Sequence, residues 1–262
     1  MTSAKRLGII LPSFNDIRIA KAIASIRRFD DVNCVKLLVI DGGSRPEVCE
    51  AILPLLRDGD VFIHERDLGI FDALNKGLDL CDTEFIGWLG SDDLFTGQVQ
   101  ASIVLQELAQ HDLFIADLAI FGEGRVQRIT HSRPSTLGLV RFGLHNPHYS
   151  TFGRASLLRS ERFELNLLAA DISYFVRIFA RHPSVACTAR VGTLQGAGGF
   201  SNTSYKRILR INWQLLRIYG AATHPLVAPL ALLLKLGYKF WSSIYYRIFK
   251  LDSHSLEIHV QS

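Results

Sequence analysis

Two neighbouring aspartates have the clearest potential for chemistry. Asp92 and Asp93 follow Ser91 and the apolar segment Phe85–Leu89, which has the composition of a buried strand. Adjacent carboxylates at a strand end repel each other unless a cation neutralises them, and hard oxygen ligands suit Mg²⁺ or Mn²⁺. The pattern is typical of a divalent-metal site that a diphosphate completes. A helix N-cap formed by either aspartate would explain the same residues.

A second polar set begins with Asp41, directly after the apolar segment Val35–Ile40. Gly42 and Gly43 allow a tight turn or a close backbone approach, and the Asp41 carboxylate can accept hydrogen bonds from a base or a ribose. An ordinary strand-to-helix turn is the alternative interpretation.

The segment Asp67–Gly77, which reads DLGIFDALNKG, favours a metal site at Asp92 and Asp93 and a ligand-binding loop at Asp41 over a helix cap and an ordinary turn. With it, the chain resembles the family 2 glycosyltransferases of the GT-A fold, especially bacterial cell-surface polysaccharide enzymes that carry D-x-G-I-Y-D-A-M-N-K-G. Phe71 and Leu74 replace the tyrosine and methionine of that pattern. The three motifs occur in the family's order, and the resemblance extends over about residues 7–200.

The resemblance implies a nucleotide-sugar donor site and a divalent cofactor, Mn²⁺ or Mg²⁺. Asp93 would bind the metal directly, Asp92 would contact ribose or metal-bound water, and Asp41 would lie near the nucleobase. Lys76 would offset the charge that develops on the leaving diphosphate, unless it is a solvated helix lysine. The predicted donor-binding residues are Pro12, Ser13, Asn15, Asp41, Asp67, Asn75, Lys76 and Asp92.

The acceptor side is predicted from shorter matches in the second half of the chain. The resemblance points to Asp171, after two alanines, as the base that takes the proton of the acceptor hydroxyl in an inverting transfer. An N-cap role for Asp171 is the alternative, and one residue can fill both roles. His148 matches a family histidine near the acceptor or the phosphates, whereas His145 is equally consistent with a surface position.

A glycine-rich loop precedes the C-terminal region. Gly198–Ser201 resembles a Gly-Gly-x-Ser element near family active sites, which places Ser201 in the acceptor and phosphate region and allows the loop to close over the sugar donor. A flexible linker is the competing interpretation.

The predicted site residues can act together only if the fold brings their strand ends side by side. The sequence pattern up to Phe121 predicts such a fold. Short apolar runs alternate with helical stretches, which indicates βαβ units, and ligands bind such sheets beyond the carboxyl ends of the strands. The predicted strands are Leu7–Leu11, Val35–Ile40, Val61–His64 and Phe85–Leu89, and the predicted helices are Ile17–Arg28, Pro46–Arg57, Phe71–Leu80, Gln98–Gln110 and Ala169–Ala180. Two further strands are expected around Gly122–Gly124.

The predicted fold class is α/β, a GT-A fold with a Rossmann-like, mostly parallel central sheet flanked by helices. The predicted glycosyltransferase domain covers residues 1–204, with a donor half at about 1–112 and an acceptor half at about 113–204. Residues 205–262 are predicted to form a basic amphipathic helical C-terminal extension that associates with the membrane.

Charge is distributed unevenly along the 262 residues. Ile172–Lys250 contains eleven Lys or Arg and no acidic residue, whereas the remainder has 18 basic and 25 acidic residues. This basic third suggests an anionic partner, although a solvated basic face fits the charge alone. Pro225, Pro229 and Lys235 interrupt the apolar tail, so it is predicted to lie on an anionic membrane surface rather than span it. Packing on its own domain or on a second subunit is the alternative.

Cysteine use and the N-terminal segment indicate the cytoplasmic side of the membrane. The four cysteines are far apart without a CxxC pair, as in a reducing compartment, and the apolar run Leu7–Leu11 is too short for a signal peptide.

The predicted activity is inverting transfer of a hexose or N-acetylhexosamine, with UDP-sugars favoured, to a polyprenyl-diphosphate-linked saccharide in cell-surface polysaccharide synthesis. Nucleotidyl transfer onto a sugar phosphate is an alternative, but it predicts a glycine-rich basic loop after the first strand, where this chain has Pro12–Asp16. A nucleic-acid-binding module is a further alternative. It is disfavoured because the basic residues accompany a strongly apolar segment, so no nucleic acid is expected as a partner.

Overall fold

The computed structural model describes residues 5–122, 125–133, 146–196, 205–222 and 228–249. The strands are β1 (Leu7–Ser13), β2 (Val35–Asp41), β3 (Val61–His64), β4 (Phe85–Trp88), β5 (Leu94–Phe95), β6 (Leu113–Gly122), β7 (Arg125–Thr130), β8 (Thr151–Arg154) and β9 (Val185–Gly196). The α-helices are α1 (Ile19–Phe29), α2 (Pro46–Ile52), α3 (Ile70–Leu80), α4 (Ala101–Leu108), α5 (Ala155–Leu158), α6 (Ala170–Phe179), α7 (Tyr205–Ala222) and α8 (Ala228–Phe249).

The nine strands within the described residues belong to one sheet with the order β3-β2-β1-β4-β8-β6-β9-β5, and β7 pairs with β6. The first four strands are parallel. In the second half β8 runs antiparallel to β4 and β6, β9 runs parallel to β6, and β5 and β7 pair antiparallel to β9 and β6. The predicted α/β fold class is confirmed, with a parallel half followed by a mixed half.

Strand β1 is buried at all seven positions because helices cover both faces of the sheet. Successive residues point to opposite faces of a strand, so Ile9 packs in a cluster with α1 and α4, whereas Ile10 packs with α3 and α6. Gly77 allows the close contact on the second face, since a Cβ at this position would overlap the Ile10 side chain. The motif glycine therefore sets how closely α3 lies on β1.

Most predicted elements of the first half lie within a few residues of the observed ones. The predicted helix Pro46–Arg57 is shorter than expected: α2 ends at Ile52 and a 3₁₀ turn follows at Leu53–Leu55. Pro54 lacks the backbone N–H that a continuing α-helix needs. Strands β5, β8 and β9 and helix α5 were not predicted, whereas the two strands expected around Gly122–Gly124 are β6 and β7.

The C-terminal region forms the helices α7 and α8, which pack against each other and against the rest of the fold. Over the described residues, neither helix is long and apolar enough to cross a bilayer. The boundary between domain and extension, residue 204, stays a prediction.

Candidate active site

The loops after β1 and β2 are joined by hydrogen bonds. The backbone N–H of Asn15 donates to Ser44 Oγ at 2.7 Å, and the Asn15 side-chain oxygen accepts from the N–H of Arg45 at 3.0 Å. Asn15 has a positive φ of 51°, which asparagine tolerates better than most residues. The last β1 residues, Pro12 and Ser13, are buried, and the Ser13 carbonyl accepts from the N–H of Gly42. Four of the predicted donor-binding residues, Pro12, Ser13, Asn15 and Asp41, therefore lie at one edge of the sheet.

Asp41 is fully buried and its carboxylate organises the loop that follows it. The carboxylate accepts from the Ser44 hydroxyl at 2.5 Å and from the Ser44 N–H at 2.8 Å, and His64 Nδ1 lies 2.7 Å away. Burial alone raises the pKa of Asp41, but the hydrogen bonds from Ser44 and His64 bring the pKa below its usual value. Asp41 is thus a fixed negative charge beneath the loop, and its contact with a nucleobase stays a prediction.

Asp67 lies beside this loop at the start of α3. Its Oδ1 accepts from the N–H of Gly69 at 2.9 Å, and a Cβ on Gly42 would approach Asp67 Oδ2 to 2.6 Å. Lys76, one helical turn after Asp72, pairs with Glu65 at 2.8 Å and with Asp72 at 3.4 Å. The structure therefore brings Asp67 next to the Asp41 loop and places Lys76 in an acidic environment. Their roles toward phosphates stay predictions.

Asn75 has a different environment from its motif neighbours. Its side-chain amide donates to the Phe163 carbonyl and accepts from the Phe163 N–H, each at 2.9 Å. These two bonds fasten α3 to the segment before α6. Its predicted role in donor binding stays untested.

Asp92 and Asp93 lie between β4 and β5, and the helix that follows, α4, begins only at Ala101. The N-cap alternative for this pair is therefore wrong. Asp93 is 1% exposed and accepts hydrogen bonds from the N–H of Gly196 at 3.3 Å and from Gln195 Nε2 at 3.5 Å. Burial, with the charge of Asp92, raises the pKa of Asp93 to about 7.

This environment fits a divalent cation. Asp93 is a buried carboxylate next to a second carboxylate, and the Arg18 guanidinium reaches Asp92 Oδ2 only at 3.5 Å. A hard cation between the two aspartates would neutralise the charge that burial disfavours. Another cluster among the described residues has its ligand atoms within 4.8 Å of one another, formed by Asp41, Cys49 and His64. Its thiol and imidazole suit softer ions than Mn²⁺ or Mg²⁺, so Asp93 is the better candidate for those ions.

On the acceptor side, the structure brings His148 and Asp171 together. His148 Nδ1 is 3.6 Å from Asp171 Oδ2, and His148 Nε2 is buried without a hydrogen-bond partner among the described residues. The Asp171 side chain, in the first turn of α6, is 32% exposed. Burial raises its pKa, but the contact with His148, with a smaller effect from Lys235, brings the pKa below its usual value. Asp171 is therefore ionised at neutral pH, as a general base must be.

Tyr149 connects the two sides of the site. Burial raises the pKa of its phenol, and the charges of Asp93, Asp171 and Asp92 raise it further. The charges of all three carboxylates therefore act on the same phenol. Two of the carboxylates follow β4, and the third begins α6.

Comparison with known proteins assigns the chain to a family. The profile of Glycosyl transferase family 2 matches residues 8–167, more than half of the chain. The chain belongs to Glycosyl transferase family 2. Over 185 residues it is 28% identical to an uncharacterized glycosyltransferase of Mycobacterium tuberculosis, covering 68% of this chain and 70% of that one.

Solved structures show the same fold at low sequence identity. S. aureus TarS 1-349 in complex with UDP-GlcNAc superposes with a TM-score of 0.64 at 15% identity, covering 88% of this chain and 71% of that TarS fragment. The mannosyltransferase PcManGT from Pyrobaculum calidifontis, in complex with GDP-Man and Mn²⁺, gives a TM-score of 0.60 at 15% identity and covers 90% and 74% of the two chains. The family 2 resemblance and the GT-A fold predicted from the motifs are confirmed.

Several residues of this family 2 glycosyltransferase site were not found from the sequence. Arg18 pairs with Asp16 at 2.8 Å and reaches toward Asp92, while Gln195 and Gly196 of β9 approach Asp93 from the second half of the chain. Tyr149, next to the predicted His148, was also missed. Arg18 follows Asp16 by two residues in the loop after β1, and this spacing could have indicated their ion pair. The contacts from β9 depend on long-range strand pairing, which no local pattern reveals. The predicted Ser201 and His145 lie outside the described residues.

Proposed function

We propose that the protein is a metal-dependent, inverting glycosyltransferase that moves a hexose or N-acetylhexosamine from a nucleotide-diphosphate sugar to a lipid-linked saccharide. The observation that carries this proposal is the buried Asp93 beside Asp92 after β4, together with Asp171 beside His148; the charges of all three aspartates act on the Tyr149 phenol. It supports a metal-binding pair and a separate ionised base on two sides of one reaction centre.

On the donor side, the loops after β1, β2 and β4 supply the nucleotide site. Asp93 and Asp92 would hold Mn²⁺ or Mg²⁺, which when bound supplies positive charge to the leaving diphosphate. Arg18 is placed to add a second cation there, because its guanidinium already lies beside Asp92. UDP-sugars are the favoured class, although one structural neighbour contains GDP-Man.

On the acceptor side, Asp171 takes the proton. The acceptor oxygen attacks the anomeric carbon as its O–H proton passes to the carboxylate, and the bond from that carbon to the diphosphate oxygen breaks. The nucleoside diphosphate leaves with the electron pair, and the anomeric configuration inverts. His148 contacts the Asp171 carboxylate and favours its ionised form.

A lipid-linked acceptor at the inner face of the cell membrane is supported by the surface of the C-terminal helices. These helices carry large apolar side chains that are at least two-fifths exposed, together with basic residues. The exposed set is Leu209, Trp213, Leu230, Leu233, Leu234, Leu236, Phe240 and Trp241. Such a surface suits the boundary between headgroups and acyl chains, where anionic lipids attract the cations.

The test begins with a thermal-shift panel of UDP, GDP, dTDP and their sugars, each with and without Mn²⁺. One nucleotide should raise the melting temperature in a metal-dependent manner, because selective binding stabilises the folded state. That sugar nucleotide is then incubated with lipid-linked acceptors, and proton NMR of the product gives the anomeric configuration. Failure of every nucleotide to stabilise the protein, or a retained configuration, would contradict the proposal.

A further inference from the structure

The helices α7 and α8 pack directly on the acceptor side of the site. Leu215 and Tyr219 of α7 and Ala228 and Ala231 of α8 are almost fully buried in one cluster with Ala169. The side-chain oxygen of Gln214 accepts hydrogen bonds from the N–H groups of Leu168 and Ala169, at 2.8 and 3.3 Å. The helix pair is therefore fixed to the residues that lead into α6, two positions before Asp171.

Helix α8 has two different faces in its first turns. Ala228, Ala231, Leu232 and Lys235 follow the i, i+3, i+4, i+7 spacing of one helix face, and all four are buried or half-buried. Leu230 and Leu233 lie on the opposite side and Leu234 and Leu236 on its flanks, and all four leucines are exposed. Lys235 therefore brings a positive charge to the inward face, whereas the outward face is apolar.

Ile172, the neighbour of Asp171, and Leu232, on the same face of α8 as Lys235, pack against this cluster, which places Lys235 near the candidate base. Its charge contributes to lowering the pKa of Asp171, after burial and the larger effect of His148. Tyr219, in the cluster that seats α8, has a raised pKa because of burial and the charge of Asp171. The inward face of α8 thus lies close to the start of α6, which carries Asp171.

We propose that Lys235 forms an anion-binding site that takes the phosphate attached to the acceptor sugar. This inference rests on the proposed function and names how the acceptor is held. A lipid-linked acceptor brings negative charge close to three carboxylates, so a cation is needed to offset the repulsion. The lysine ammonium, with three donors on a flexible stem, suits a phosphate. The apolar outward face of the same helix would keep the acceptor's lipid chain beside it.

The experiment measures binding of decyl diphosphate to the full-length protein by calorimetry, with UDP and Mn²⁺ at saturation so that the donor site is filled. Decyl glucoside is the uncharged probe of the same chain length. Lys235→Met should weaken decyl diphosphate binding by about tenfold or more, because charge-assisted hydrogen bonds are lost. Lys235→Arg should retain most of the affinity, and decyl glucoside should bind all variants equally.

Arg210→Met is the matched control, since Arg210 is an exposed cation on α7 and its loss changes net charge equally. It should bind decyl diphosphate like the wild type. Equal losses for both probes in Lys235→Met would show that the substitution disturbs packing, and unchanged decyl diphosphate binding would show that Lys235 does not contact the phosphate. Either result overturns the inference, as does a wild type that does not bind decyl diphosphate.

Vesicles containing phosphatidylglycerol distinguish a lipid headgroup from the acceptor as the source of the phosphate. Lys235→Met should bind these vesicles as the wild type does, because the outward face of α8 makes that contact. A variant that loses vesicle binding and keeps decyl diphosphate binding would assign Lys235 to headgroups and refute the acceptor site. Metal-dependent stabilisation by a nucleotide is measured separately, so failure of the proposed function is recognised independently.

Discussion

Replacing Asp93 by asparagine should stabilise the metal-free protein at alkaline pH while it abolishes the response to metal. The carboxylate is buried beside Asp92, and its pKa is raised to about 7 from an ordinary 3.8. Asparagine keeps the shape and an oxygen for the N–H of Gly196 but carries no charge. The variant therefore removes the repulsion from Asp92 and the cost of burying a charge. It also removes one ligand of the proposed divalent cation.

The magnitude follows from linkage. A carboxyl whose pKa is higher in the folded state binds more protons there, so folding is destabilised as pH rises from the unfolded value toward the folded value. At about 1.4 kcal/mol per pKa unit, the shift corresponds to at most about 4 kcal/mol, fully present above about pH 7 and absent below about pH 4. Between about pH 5 and about pH 8.5 the wild type should lose about 3 kcal/mol that the variant retains.

The assay is urea unfolding in EDTA across this pH range, repeated with Mn²⁺. Asp58→Asn, which neutralises an exposed aspartate, serves as the control and should follow the wild-type pH profile. Mn²⁺ should flatten the wild-type profile and leave Asp93→Asn unaffected. Parallel wild-type and Asp93→Asn profiles in EDTA would refute the reasoning, because the burial of an uncompensated charge would then carry no energetic cost.

Three other changes test separate parts of the site. Asp171→Asn should keep metal-dependent nucleotide binding in the thermal-shift assay and lose sugar transfer by a factor of about 10² or more, since only the base is removed; surviving transfer would assign the proton to another group. Asn75→Ala should lower the free energy of unfolding by about 1–3 kcal/mol through its two bonds to Phe163. Unchanged nucleotide affinity in that variant would exclude a donor-binding role. Ending the chain after Gly220 should release the protein from vesicles and preserve nucleotide binding, but it should lower the melting temperature because Tyr219 loses Ala228 and Ala231; a truncated protein that still sediments with vesicles would show that the tail packs rather than anchors.

The first half of the fold was predictable because its signals are local. Each parallel strand is a short apolar run, and the polar residues that end or follow it, such as Asp41 at the end of β2 and Asp92 after β4, mark the edge where ligands bind. The second half lacked such signals. Strand β9 reads VACTARVGTLQG, with exposed Ala189 and Arg190 in its middle, and its pairing with β6 and β5 joins segments far apart in the chain.

The roles of motif residues were harder to predict than their positions, because a sequence pattern does not reveal which hydrogen-bond partners a side chain already has within the protein. Asp41 and Asn75 both belong to clear motifs. The Asp41 carboxylate is hydrogen-bonded within its own loop and to His64, whereas the Asn75 amide is hydrogen-bonded to the backbone of Phe163. Both residues hold the backbone around the site in place. The same residue types would be needed for direct contact with a ligand, so the sequence does not distinguish the two roles. Asp93 differs in kind, because within the described residues two long hydrogen bonds and the charge of Arg18 do not offset its burial, and its pKa stays raised. A protein of marginal stability retains such a charge only where function gains from it, and the gain that we propose here is the binding of a metal and a diphosphate.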